Sequence, residues 1–429
     1  MTPKQEHGHQ NNLNNNVMTV LIRRLTVYFL MATAIMACNP KGKKALQNNE
    51  PMTEHAIAEK NNYFAFDIFN AVNTGKDANV VISPFSISTA LAMTYAGAAG
   101  ETAEQMAKTL HFHPDQNIFH QSFSQWMKTI ETKGKKGDRL EIANSLWPQE
   151  DYHFLESYFQ ILNQFYNSAL YEVDYTGDRE AIRQRINQWV MDNTNNLIEE
   201  LIKPGVLIED TRLVLVNAIY FLSQWKIAFD KQGTHTHTFF VTPDTPKDVS
   251  FMFMKDTLAY FENDKFQMLE LEYEGGDFSM VIVLPAEGKN IDSFIAEMNP
   301  ATYSKITETT VKQPVEVYLP SFKVRASFDL EQTMSAMGMP LAFTNKADFS
   351  KMTGMLDLKI DKIIHQAYID VNEEGTEAAA STAVVIIRKS AVVGEQPTVF
   401  RANRPFLYFI KENSNNSILF MGKTGDPSL

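Results

Sequence analysis

Few residues in this chain are equipped for chemistry. His235 and His237 stand two apart, like neighbours on one face of a strand, and could supply two ligands to a metal. No third ligand is evident nearby, so the pair reads as a polar strand edge and no metal is expected. Cys38 is the single cysteine and cannot close an internal disulfide. His365 lies on the apolar face of an alternating segment, where a histidine is ordinarily a hydrogen-bonded core residue and not a catalytic one. The chain has no Gly-x-Ser-x-Gly elbow, no His-Glu-x-x-His, no phosphate-binding loop and no dinucleotide fingerprint. No catalytic centre and no cofactor are expected.

The stretch after Gly375 has a different aptitude. A strand that enters the middle of a sheet needs its backbone donors free, no interior proline, and uncharged side chains of modest size on its core face. Thr376, Ala378, Ala380, Thr382, Val384 and Ile386 alternate along one face and are all uncharged. The other face shows Glu377 and Ser381 with Ala379, Ala383, Val385 and Ile387, and no proline follows until Pro397. Gly375 and the alanines let the segment bend and slide, while the β-branched run Val384 to Ile387 favours a strand. An ordinary exposed loop does not explain that apolar run.

The surrounding elements alternate in kind. Apolar spacing at Ile57, Phe64, Ile68 and Phe69, again through Leu91 to Leu110, and at Ile182, Ile186, Trp189 and Val190 predicts amphipathic helices. Leu213 to Leu222 and Met280 to Pro285 read as strands buried on both faces. Ile363, His365, Ala367, Ile369 and Val371 share one face of a strand that leads directly into Gly375. The cluster of Lys133 to Lys136 between glycines reads as a solvated turn.

With 44% hydrophobic residues in 429, the chain can bury a large core. Residues 52–429 show no repeat, linker or low-complexity block and are expected to form one domain. A net charge of -12 disfavours a nucleic-acid partner. Arg23 and Arg24 followed by an apolar run to Ala37 make residues 18–37 a signal peptide, too short to span a bilayer comfortably. Cys38 follows Ile35-Met36-Ala37 like the cysteine of a bacterial lipoprotein box, so lipidation there is expected, with residues 38–51 as a tether and residues 1–17 as an upstream extension. The protein is expected to be exported, lipid-anchored to the cell envelope or surface and otherwise extracellular, touching membrane only through the anchor.

Several segments, in order, resemble the serpin family. They are Asn79 to Ile87 with Gly97 and Gly100-Glu101-Thr102, Asn144-Ser145-Leu146-Trp147, Leu213 to Phe221 with Trp225 and Phe229, Leu319-Pro320-Ser321-Phe322-Lys323, and Ala347-Asp348-Phe349-Ser350. The most specific are a hinge, Asn372 and Glu373, Glu374, Gly375, Thr376, Glu377, Ala378, Ala379 and Ala380, and a C-terminal signature from Phe400 to Ile410.

The resemblance implies a mixed α+β fold with three β-sheets, about nine helices and an exposed reactive-centre loop. It implies a monomer that inhibits a serine protease as a suicide substrate: the loop is cut, an acyl-enzyme forms, and the loop inserts into the main sheet. By the family's spacing the scissile bond is Lys389-Ser390, or the cut follows Arg388, and a trypsin-like partner is implied. A cut after Val385 or Ile387 would suit elastase- or subtilisin-like enzymes, and a cysteine protease is a further possible target. Ser83, Ser86, Asn217 and His365 are expected to meet where the sheet opens, with Trp225 packing at the point of entry. The alternatives are a non-inhibitory serpin acting as a binding or chaperone module, and a surface hydrolase, for which no motif speaks.

Overall fold

The first helix begins where Thr53 can cap it, its side chain accepting from the Ala56 amide, and then buries Ile57, Phe64, Ile68 and Phe69 along one stripe. The computed structural model describes residues 51–133, 139–376 and 397–429. The expected signal peptide, Cys38, its tether, hinge residues Glu377 to Ala380, and Val385, Ile387, Arg388, Lys389 and Ser390 lie outside them.

In chain order the elements open with α1 (Glu54–Val72), β1 (Asn79–Ile82), α2 (Pro84–Tyr95), α3 (Gly100–Thr109), α4 (Gln116–Lys133), β2 (Arg139–Pro148), α5 (Glu156–Tyr166), β3 (Ala169–Leu170) and α6 (Arg179–Asn193). Then follow β4 (Leu213–Gln224), β5 (Asp230–Thr242), β6 (Thr245–Glu262), β7 (Phe266–Glu272), β8 (Phe278–Pro285), α7 (Ile291–Glu297), α8 (Pro300–Thr309), β9 (Val311–Pro320) and β10 (Phe322–Asp329). The remainder is α9 (Glu331–Met337), a short 3₁₀ turn, α10 (Ser350–Thr353), β11 (Ile364–Val371), β12 (Gly375–Thr376), β13 (Thr398–Arg401), β14 (Phe406–Glu412) and β15 (Ser417–Thr424).

The strands form two hydrogen-bonded networks. The larger runs β1-β15-β14-β8-β7-β6-β9-β13, with β5 also on β6, and carries two of the three expected sheets, continuous through the 18-residue β6. The first part of β6 pairs β5, its last residues pair β7, and β9 runs along most of it. The smaller network, the third sheet, runs β10-β11-β12-β4-β2-β3.

The buried expectation holds for β8, enclosed along its whole length, and the shared face for β11, where His365, Ala367, Ile369 and Val371 alternate inward. Three details differ. The helical spacing from Leu91 to Leu110 is split between α2 and α3, and a side chain at Gly97, between them, would meet Met352 at 2.2 Å. Leu213, Val214 and Leu215 are only half-buried, because that end of β4 borders a cavity. Lys133 is no member of a solvated turn: it ends α4 and pairs with the buried carboxylate of Glu412.

Candidate functional site

In the six-stranded sheet, β4 pairs antiparallel with β2 over Leu213 to Leu222, and β11 pairs with β10 over all eight of its residues. Their facing edges are a different matter. Among the described residues they are joined only through β12, where Thr376 stands opposite both Val371 and Ser223, and Gly375 opposite Gln224. An unpaired strand edge is a template for another strand.

The turn that delivers β12 is specified locally. The Asn372 side-chain oxygen accepts from the amides of Glu374, at 2.9 Å, and Gly375, at 3.3 Å, while the Asn372 amide donates to the Gly375 carbonyl at 3.0 Å. An Asx side chain imitates a backbone turn in this way. Gly375 then passes so close to β4 that a Cβ would lie 2.0 Å from the Ser223 carbonyl oxygen. Only glycine fits this approach.

Aromatic and charged groups fasten the turn from one side. Trp225 donates its amide to the Glu374 carbonyl at 2.8 Å and its indole N–H to the Asn372 carbonyl at 2.9 Å. The indole stacks on Tyr273 with centroids 4.6 Å apart, and the Tyr273 hydroxyl lies 2.6 Å from that of Thr376, which is 1% exposed. The Phe229 amide donates to the Glu373 carbonyl at 2.9 Å, and Thr234 Oγ1 donates to the Glu373 carboxylate at 2.8 Å. Lys231 pairs with the Glu374 carboxylate, and that hydrogen bond holds the lysine above its ordinary pKa.

Farther along the seam, His365 accepts the Ser83 amide at Nε2, 3.0 Å away. Burial pushes the imidazole down to about 3, so it is neutral near pH 7 and its proton resides on Nδ1. The Ser83 hydroxyl donates to the Leu419 carbonyl at 2.7 Å and accepts from the Ser86 amide at 3.2 Å, capping α2. The link from His365 to Ser83 thus runs through backbone and not through the hydroxyl. Ser86 borders the same cavity as His365, and Asn217 stands opposite Asn144 in the β2–β4 register.

That cavity, about 670 Å³, opens at the end of the seam away from β12. Leu213, Val214 and Leu215 line it from β4, and Ile363, Ile364 and His365 from β11 and the residue before it. The sheet therefore offers a seam between two edges, held at Thr376 and open toward Leu213, with apolar walls and a neutral histidine. Among the described residues no group along it is disposed as a nucleophile with a base; what the arrangement can do is receive a strand.

Sequence reading singled out Trp225, His365, Ser83 and the hinge through Thr376, and these lie along the seam. It missed Tyr273, Lys231 and Thr234. Their partners lie 103, 143 and 139 residues away, and nothing in their local pattern announces the contact.

The family described as Serpin (serine protease inhibitor) matches residues 59–427. Human Serpin B4 is 37% identical over 396 residues, covering 87% of this chain and all of its own. The human leukocyte elastase inhibitor is 37% identical over 381 residues, covering 86% of this chain and 99% of its own. Among solved structures, uncleaved ovalbumin superposes with a TM-score of 0.79 at 29% identity, covering 86% of this chain and all of its own.

Proposed function

The chain belongs to the serpin family, and on that premise we propose that it inhibits a serine protease as a suicide substrate, without turnover of its own. The protease serine adds to the Lys389 carbonyl, the amide bond to Ser390 breaks with its nitrogen leaving as an amine, and Lys389 stays esterified to the enzyme. The severed segment then enters between β4 and β11 as a new central strand and carries the enzyme with it.

The observation that carries this reading is the two-residue strand β12, which already occupies the head of the seam in antiparallel register with β4. Continuing the Thr376–Ser223 pairing one residue at a time brings Ile386 opposite Leu213, the first residue of β4. The segment from Glu377 to Ile386 has the uncharged alternation such a strand requires.

A trypsin-like target is favoured by the basic side chains of Arg388 and Lys389, while a cut after Ile387 would fill the same register. A cut after Arg388 or Lys389 leaves the whole run to Ile386 available to fill the seam, and a basic side chain suits a primary pocket with a buried acid. A cut after Val385 leaves only Leu213 of β4 without a residue opposite it. The fatty-acylated, exported form is part of the proposal on the grounds of residues 18–37 and Cys38. Metabolic labelling with a fatty acid, lost in Cys38→Ser, tests it.

Incubation with a panel of serine proteases is the primary test. A covalent complex that survives SDS, with release of a peptide beginning at Ser390 or Lys389, is expected. Cleavage without any such complex, for every enzyme tried, overturns the reading.

A further inference from the structure

The two strand networks meet at the head of the seam. Trp225, just past β4, stands opposite Tyr273, just past β7, and among the described residues this is the single β-bridge between the networks. The Lys226 amide donates to the Glu272 carbonyl at 3.0 Å, and the Glu274 amide to the Gln224 carbonyl at 2.9 Å. Thr376 docks on this bridge, because the Tyr273 ring carries both the Trp225 indole and the hydroxyl that meets Thr376.

Glu272 fastens the bridge from its outer side. Side chains of adjacent strand residues point to opposite faces, so the buried Tyr273 faces the seam and the half-buried Glu272 turns away from it. One oxygen of the Glu272 carboxylate accepts from Lys226, and the other accepts from Lys312 of β9 at 2.8 Å. These two hydrogen bonds, the one from Lys226 foremost, hold the carboxyl below its ordinary pKa, so it is charged near pH 7. Glu270, two residues earlier on β7, has a cation of its own, the buried ammonium of Lys411 at 3.0 Å. Glu272 thus ties the exit of β4, β7 and β9 together at one point, immediately beside the residue on which Thr376 docks.

Ion pairs this exposed, with 52% of the Lys226 side chain and 62% of the Lys312 side chain in solvent, add little to the stability of a fold. What they do here is fix a direction: two cations on separate oxygens of one carboxylate set the backbone at Glu272, and with it the place of the Tyr273 ring. We propose that Glu272 is a positioning residue for strand insertion, holding the Trp225–Tyr273 platform where Thr376 docks and the severed segment begins to enter. The proposal rests on the inhibitor reading. It makes trapping sensitive to ionic strength, because salt that screens the two exposed pairs loosens the platform and slows entry. Water then has longer to cleave the Lys389 ester, which releases active enzyme and spent inhibitor.

Glu272→Gln, which keeps the size of the side chain and removes its charge, is compared with Glu316→Gln. The latter breaks the Lys255–Glu316 pair, of similar exposure, which joins β6 to β9 and takes no part in the bridge. With a trypsin-like protease, the inhibitor consumed in excess of that which traps enzyme is expected to rise about two- to fivefold in Glu272→Gln, the range open to an exposed pair, and to stay at the parent value in Glu316→Gln. About 1 M sodium chloride should bring the parent to the level of Glu272→Gln and leave that variant unchanged. In hydrogen exchange on the uncut protein, the Lys226 and Glu274 amides should lose protection in Glu272→Gln alone, with the urea midpoints of both variants close to that of the parent. Unchanged consumption or unchanged protection in Glu272→Gln, or an equal change in Glu316→Gln, overturns the proposal. Failure of the inhibitor reading registers separately: parent and variants are then all cut without an SDS-stable adduct, and the amides alone decide whether Glu272 holds the platform.

Discussion

The hydroxyls of Tyr273 and Thr376 lie 2.6 Å apart in a buried site, so Thr376, the residue that the proposed insertion would place first on the core face, is already docked. This contact makes Thr376 the entry condition for every residue behind it. Thr376→Arg would require a cation where the side chain has almost no access to water, at a cost of several kcal/mol. The expected result is conversion from inhibitor to substrate: the loop is still cut, but the moles of protein consumed per mole of enzyme trapped rise steeply. Titration against the sensitive protease measures this, and an unchanged stoichiometry contradicts entry at Thr376.

Gly375 supplies an independent probe of the same docking. The atom a Cβ would strike is backbone, the Ser223 carbonyl oxygen, which cannot rotate aside. Gly375→Ala should therefore undock β12 or shift β4, costing about 1–3 kcal/mol as overpacking does. Hydrogen exchange is the suitable measurement: the Trp225 and Phe229 amides, which donate to Glu374 and Glu373, should lose protection in the variant.

What the sequence disclosed, and what it withheld, follows from the range of each interaction. The alternation of His365, Ala367, Ile369 and Val371 is a local pattern, and it was legible. The break at Gly97 was not, because the side chain that forbids a Cβ there belongs to Met352, far along the chain. Leu213 to Leu215 read as fully buried because apolarity reports affinity for a core, whereas their exposure depends on a neighbouring strand. Lys133 read as solvated because its partner Glu412 is 279 residues away. Tyr273, the residue that meets Thr376, has no signature of its own for the same reason.

His365 predicts how stability should vary with acid. Burial holds its folded pKa at about 3, whereas an unfolded chain takes up the proton near the ordinary value of about 6.5. Protons therefore favour the unfolded state: the contribution is whole above pH 6.5 and is lost as pH falls toward 3, by up to about 1.4 kcal/mol per pH unit. His120, whose Nδ1 lies 2.5 Å from the Tyr166 hydroxyl, is held at about 3 by burial too, and adds a parallel slope. His365→Gln retains an acceptor for the Ser83 amide and has no proton to gain. Urea unfolding between pH 4 and 6.5 should show a shallower decline for the variant, and parallel lines would mean that His365 does not resist protonation in the fold.

Cutting the chain between Thr376 and Thr398 should make it more stable, the reverse of what a nick does to most proteins. Uncut, the segment is tethered at both ends, and among the described residues the β4 and β11 edges meet only at β12. Once cut, the segment from Glu377 can run to the Leu213 end, pairing both edges and covering the apolar walls of the cavity. At about 1 kcal/mol per added backbone hydrogen bond and about 2 °C per kcal/mol, the midpoint should rise by at least roughly 10 °C. Thr376→Arg, nicked in the same way, should gain little, because the first buried position is blocked. Calorimetry of parent and variant before and after nicking decides the matter: an unchanged parent midpoint would mean that the edges of β4 and β11 do not accept the severed strand, and would favour a binding module over an inhibitor.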